Sequence, residues 1–309
     1  MKNLIDIEQF HRFDNLGLVA HEVVEGFITG LHRSPFHGFS VEFAEHRLYN
    51  QGESTKHVDW KLYARTDKLF VKQYEEETNL RCQLVVDTSS SMLFPYTKGK
   101  KHLHNKLAFS VYTASALIYL MRKQRDAVGL TLFSDEIEFH SSPRISSVNA
   151  EVMYGKLSEL IQPENASLRK TTNTTQVLHQ IAENIHKRSL VIIFSDMLDS
   201  SKNDELFSAL QHLRYNKHEV ILFHVTDHSL EREFDFSNRP HKFVDLESGQ
   251  VVKFNPSEVK EHYTNTVSDY FEDLKVKCGQ YQIDLAEADI NKDFKEVLFS
   301  YLVKRKKLY

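Results

Sequence analysis

The chain has 309 residues, of which 41% are hydrophobic, 27% charged and 11% aromatic, a composition that excludes collagen-like, low-complexity and wholly disordered proteins and allows a large core. Its 39 basic and 43 acidic side chains leave a formal net charge of -4. No general electrostatic attraction to nucleic acid or to an anionic membrane surface follows, so a partner must be recognised locally. The two cysteines, Cys82 and Cys278, lie far apart in the chain; they define no disulfide framework or zinc module and read as small buried hydrophobes.

Over residues 1–32, Leu4, Ile7, Phe10, Phe13, Leu16, Val19, Val23, Phe27 and Leu31 recur at steps of three or four, the stripe of amphipathic helix, which Gly17 divides. The opening MKNLIDIEQFHRFD breaks its apolar residues with charge, unlike a signal peptide. The apolar stretch 109–121 falls short of the roughly 20 residues that a bilayer span needs. A cytoplasmic protein with no transmembrane segment is expected. Residues 39–73 mix aromatic and β-branched residues with charge, which favours short strands and loops. Glu75-Glu76-Glu77 then reads as a solvated connector. The expected division is a helical and β-rich region over 1–80 and an α/β domain over 81–309.

Beyond residue 81, compact apolar runs alternate with long helical patterns, as in an α/β domain on a largely parallel sheet. Strands are expected at 82–86, 128–133, 190–194, 220–225 and 282–285. Helices are expected at 102–124, 148–162, 175–186, 203–214, 256–279 and 293–306. The segment 227–255 is polar, with Pro240 and the turn residues Asp245 and Gly249, and reads as a hairpin excursion.

Four of the apolar runs end in an acid: Asp87, Asp135, Asp196 and Asp227. Parallel strands open their carboxyl ends onto one edge, the usual place for ligands in open α/β folds, so these carboxylates can converge. Each could instead cap the helix that follows. The run from Asp87 to Met92 has the form D-x-S-x-S, which lets Asp87, Ser89 and Ser91 aim oxygens at one centre. Hard oxygen donors of this kind suit Mg²⁺, with Mn²⁺ or Ca²⁺ as other candidates. Lys170-Thr171-Thr172-Asn173-Thr174-Thr175 precedes a helix and can bring a threonine hydroxyl to the same centre.

Asp87, Ser89, Ser91, Thr172 and Asp196 resemble the five positions of the metal-ion-dependent adhesion site in von Willebrand factor A domains. Thr172-x-Thr174 is similar to the T-x-T of that pattern, with Thr171 and Thr174 as the neighbouring alternatives to Thr172. Four further blocks narrow the resemblance: RSPFHG from Arg33, EFAEHR from Glu42, DWKLYART from Asp59, and the glutamates 75–77 leading into the D-x-S-x-S strand. They are similar to a bacterial family, the domain of unknown function 58, whose members are encoded beside MoxR-type AAA+ ATPases; the similarity covers residues 16–227. The resemblance implies a von Willebrand factor A-like (Rossmann-like) fold and a bound Mg²⁺. It also implies a protein partner that offers Asp or Glu to the metal, and a MoxR-type AAA+ ATPase as companion in a chaperone-like or assembly role.

Strand-end aspartates with Mg²⁺ also build hydrolases and phosphotransferases. A dehalogenase-type phosphatase needs a second aspartate two residues after its nucleophile, where this sequence has Ser89. No G-x-S-x-G elbow, phosphate loop, G-x-G-x-x-G fingerprint or H-E-x-x-H helix occurs. Cations and aromatics mingle from Arg33 to Arg65, but Glu42, Glu45, Glu53, Asp59 and Asp67 nearly cancel the charge, which fits a folded layer better than a nucleic-acid surface. The expectation is a non-enzymatic adaptor with no nucleic-acid partner; a Mg²⁺-dependent hydrolase or phosphotransferase is the alternative.

Overall fold

The computed structural model describes residues 16–28, 42–49, 58–75, 80–96, 104–162, 168, 170–171, 173–198 and 203–308. Helix α1 (Leu16–Ile28) groups with the chain from Arg81 onward as one compact unit, and residues 36–80 form a second.

In the smaller unit, β1 (Glu42–Leu48) and β2 (Phe70–Glu75) pair antiparallel, with a bulge between Phe43 and Glu45. Between them lies a two-turn helix, α2 (Trp60–Thr66), where the aromatic-rich sequence suggests strand. Asp59 is the reason: its carboxylate accepts from the N–H groups of Lys61 and Leu62 at 3.0 and 3.1 Å, capping the first turn.

The larger unit is built on six strands: β3 (Arg81–Asp87), β4 (Ala127–Phe133), β5 (Ile137–Arg144), β6 (Leu190–Ser195), β7 (Glu219–Thr226) and β10 (Asp284–Asp289). Their order is β10-β7-β6-β3-β4-β5, all parallel except the edge strand β5. This is the expected mixed α/β architecture with a mostly parallel central sheet. Side chains alternate between faces, and both faces are covered, which is why the strands read as unbroken apolar runs. Val85, Ile193 and Leu222 meet Val177, Ile181, Leu210 and Leu274 from α5 (Thr174–Asn184), α6 (Asn203–Tyr215) and α7 (Pro256–Gln280).

On the opposite face, α3 (Lys106–Lys123) packs on β3, β4 and β7, with α1, α4 (Ser147–Leu160) and α8 (Phe294–Leu308) against it. Every residue of α3 from Lys106 to Ile118 is buried, as a helix enclosed on all sides requires. Gly129 of β4 is there for space: a Cβ would strike the Ser141 carbonyl of β5 and lie 2.6 Å from Gln83 Oε1. The expected excursion consists of one π-helical turn (His228–Arg232) and a hairpin of β8 (His241–Val244) and β9 (Val251–Phe254). Among the described residues, no helix is long and apolar enough to cross a membrane.

Candidate metal centre

Strands β3 and β6 are neighbours in the sheet, with Val86 opposite Phe194, so Asp87 and the residues that follow Phe194 share one edge. Asp87 is fully buried. Its Oδ1 accepts from the Ser89 N–H at 2.9 Å, and its Oδ2 accepts from the Ser195 hydroxyl at 2.7 Å. The Ser89 and Ser91 hydroxyls share a hydrogen bond of 2.9 Å. Three of the expected ligands, Asp87, Ser89 and Ser91, are therefore gathered on one turn, with Asp196 beside Ser195 on the adjacent strand end.

Thr172 lies outside the described residues. Lys170, earlier in the same segment, is anchored to the turn: the Ser90 N–H donates to the Lys170 carbonyl at 3.1 Å, and the Lys170 N–H donates to the Ser90 hydroxyl at 2.8 Å. Asn173 donates its N–H to the Ser134 carbonyl at 3.1 Å. Of the two alternatives, Thr171 is exposed and Thr174 is buried at the start of α5.

Asp196 is only 1% exposed. Its Oδ1 accepts from the Leu198 N–H at 3.1 Å, and its Oδ2 accepts from the Lys106 ammonium at 2.7 Å. Lys106 Nζ also donates to Glu231 Oε1 at 2.6 Å, and Glu231 Oε2 accepts the Asp227 N–H at 2.7 Å. Burial alone would depress the Lys106 ammonium; the attraction of Asp196 and Glu231 outweighs it and holds the group above its ordinary value. Lys106 therefore stays a cation. The Asp87 carboxyl is pushed up to about 7, chiefly by burial and then by the negative charge of Asp196, against the opposing hydrogen bonds from Ser89 and Ser195.

This chemistry fits a divalent cation. Asp87 is served by neutral donors alone among the described hydrogen bonds, while Lys106 is shared by Asp196 and Glu231. With Asp87 ionised, as ligation of a metal requires, three carboxylates against one ammonium leave two negative charges, the amount that one Mg²⁺ balances. Carboxylate and hydroxyl oxygens are the donors it prefers. No group of three or more His, Cys, Asp or Glu side chains is placed to hold a metal among the described residues, so the hydroxyls of Ser89 and Ser91 are essential to such a centre.

The other strand-end acids do not join it. Asp135 is exposed and accepts from the Ser134 hydroxyl at 3.1 Å. Asp227 caps the π-helical turn through the Leu230 N–H at 3.0 Å. Lys106 and Glu231 are the members that sequence reasoning missed. The one hint was Lys106 itself, a cation opening a stretch that carries no other charge until Arg122.

Fold and site together define an open α/β protein with an oxygen-rich centre at the carboxyl edge of its sheet. The chain belongs to the family described as "Protein of unknown function DUF58", which it matches over residues 45–271. It is 34% identical over 241 residues to the uncharacterized protein Rv1480 of Mycobacterium tuberculosis and, to the same extent, to the uncharacterized protein Mb1516 of Mycobacterium bovis; the match covers 78% of this chain and 71% of each relative. Among solved structures it is similar to the conserved hypothetical protein BatB of Bacteroides thetaiotaomicron, at 13% identity and a TM-score of 0.42 over 74% of this chain and 99% of that one. An aerotolerance-related membrane protein of Bacteroides fragilis matches at 14% identity and a TM-score of 0.42, over 74% of this chain and all of that one.

Proposed function

We propose that this protein is a non-enzymatic adaptor that captures an acidic side chain of a partner protein through a divalent cation, Mg²⁺ first. Asp87, Ser89, Ser91, Thr172 and Asp196 would hold the ion, in the manner of the metal-ion-dependent adhesion site of von Willebrand factor A domains. When bound, the ion supplies an open coordination position for a carboxylate oxygen. The protein's own residues bind and orient: Ser195 and the Ser89 N–H fix the Asp87 carboxylate, and Lys106 takes up one oxygen of Asp196. With Asp196 partly neutralised, the ion would keep more of its charge for an outside acid. One coordination bond does not hold two proteins together, so a patch of about 800 Å² on each partner must surround it. The resemblance seen in the sequence blocks makes a MoxR-type AAA+ ATPase the companion, in a chaperone-like or assembly role.

The observation that supports this reading most directly is the Asp87 carboxylate, fully buried beside a second carboxylate and, among the described residues, with only neutral donors on its oxygens. Titration calorimetry with Mg²⁺ and Mn²⁺ tests it, comparing wild type with Asp87→Ala. Wild type should bind one ion and the variant none. The same pair of proteins, used as bait for native lysate with and without EDTA, should differ in a captured ATPase. Identical calorimetric traces for the two proteins defeat the reading.

A further inference from the structure

A cavity of about 560 Å³ opens beside the candidate centre, walled by Phe94, Phe234, Phe243, Phe254, Tyr263 and Glu231. Its rings brace one another: Phe243 stacks on Phe254 at 4.6 Å between centroids, and Phe234 lies 4.4 Å from Tyr263. Two of its walls are continuous with the centre. Phe94 directly follows the turn that carries Ser91, and its ring centroid is 5.7 Å from Lys106 Nζ. Glu231 is 2.6 Å from the same ammonium, which in turn is 2.7 Å from Asp196. One ammonium group thus separates the wall of the cavity from the carboxylate of the centre.

We infer that this aromatic groove and the metal centre are two halves of one docking site. The occupant is a partner segment whose acidic residue reaches the ion and whose large apolar side chain, about two to four residues away, fills the groove. The inference rests on the metal-dependent reading proposed above. Extended chain advances roughly 3.3 Å per residue, so that spacing carries a peptide from the Asp196 side of Lys106 to the rings beyond it. The groove asks for an uncharged group because its carboxylate is committed: Glu231 Oε1 accepts from Lys106 and Oε2 from the Asp227 N–H. An apolar anchor in a ring-lined pocket also supplies what a single coordination bond lacks, since binding energy concentrates in a few buried anchors.

The test immobilises the full chain with Mn²⁺ and elutes a phage-displayed random peptide library with EDTA. The expected pool carries Asp or Glu with Phe, Leu, Met or Trp about two to four positions away. A synthetic peptide from that pool should lose at least tenfold in affinity when its apolar residue becomes Ala. Thr266, exposed on α7 at the rim of the groove, can be replaced by Trp to fill the space without touching an expected metal ligand. Thr266→Trp should cost at least tenfold for the parent peptide and little more for its Ala form, as coupled changes do. A pool that shares acids but no apolar preference overturns the groove and leaves the metal centre standing. Apolar selection that persists in EDTA and in Asp87→Ala overturns the link between the halves. A pool with neither feature overturns the docking site, and Mn²⁺ calorimetry on the same protein then decides separately whether the metal-dependent reading falls too.

Discussion

At the ends of β7 and β10, Asp227 and Asp289 face their own chain. Asp227 Oδ1 accepts from the Leu230 N–H at 3.0 Å and from Asn291 Nδ2 at 2.7 Å, while Asp289 Oδ1 accepts from the Asn291 N–H and side chain, both at 3.1 Å. At the ends of β3 and β6, Asp87 and Asp196 occupy comparable strand positions and each accepts a backbone N–H, but the other oxygen takes the Ser195 hydroxyl in Asp87 and the buried Lys106 ammonium in Asp196. The four acids share a residue type and a place in the sheet. Each of the four accepts a backbone N–H, so what separates them is the rest of the donor set among the described residues: Asp227 and Asp289 both accept from the Asn291 side chain, whereas Asp87 adds only the Ser195 hydroxyl and Asp196 shares Lys106 with Glu231, which leaves that cluster short of positive charge.

Removing the lysine is the harshest way to probe that difference. Lys106→Met leaves Asp196 and Glu231 buried without their counter-ion, and breaking such a pair typically costs about 3–5 kcal/mol. Urea unfolding should show that loss, and adding Asp196→Asn together with Glu231→Gln should recover part of it. A loss below about 1 kcal/mol would mean that the ammonium does not hold these acids in solution.

The next effect is on the response to metal. With Mg²⁺ at a hundred times its dissociation constant, wild type should gain about 2.7 kcal/mol of stability by mass action. Asp87→Asn keeps the shape of the turn and removes one buried charge, so without metal its melting temperature should match or exceed wild type. Its rise on adding Mg²⁺ should vanish. Smaller again is Asp227→Ala at the other edge, which removes a cap and should cost about 1 kcal/mol while leaving the Mg²⁺ response intact. If Asp227→Ala also abolished that response, the two edges would not be separate in function.

The sequence disclosed the β3 and β6 edge because a sheet covered on both faces writes its strands as apolar runs, and the acids at 87 and 196 close those runs. The edge strand β5 escaped notice: Ile137–Arg144 alternates half-buried and exposed residues and includes Pro143, so it presents no apolar run. β10 begins at Asp284 rather than 282 and continues to Asp289, since an outer strand tolerates acids that an inner one would not. The ion pairs of Lys106 could not be foreseen, because Asp196 and Glu231 reach it from distant segments and charged side chains ordinarily read as solvated. The aromatic groove was hidden for a similar reason. Phe234, Phe243 and Phe254 are scattered through a polar segment, and they meet only once β8 and β9 pair.

The mildest test separates the edges by pH. His228 sits at the β7 and β10 edge, its Nδ1 3.7 Å from Asp289 and its Nε2 3.4 Å from Arg232. Burial lowers its pKa below the ordinary histidine value; Asp289 and Glu287 pull it up, and Arg232 and Lys292 push it further down. A histidine depressed in the folded state takes up its proton more readily when the chain unfolds. Its contribution to stability is therefore complete above the unfolded value near 6.5 and is lost as pH falls below it. Melting curves at pH 7 and pH 5, recorded in EDTA, should show a smaller acid-induced drop for His228→Gln than for wild type. Equal drops would mean that burial and the surrounding charges cancel at His228, and a larger drop for His228→Gln that the Asp289 side of the balance dominates.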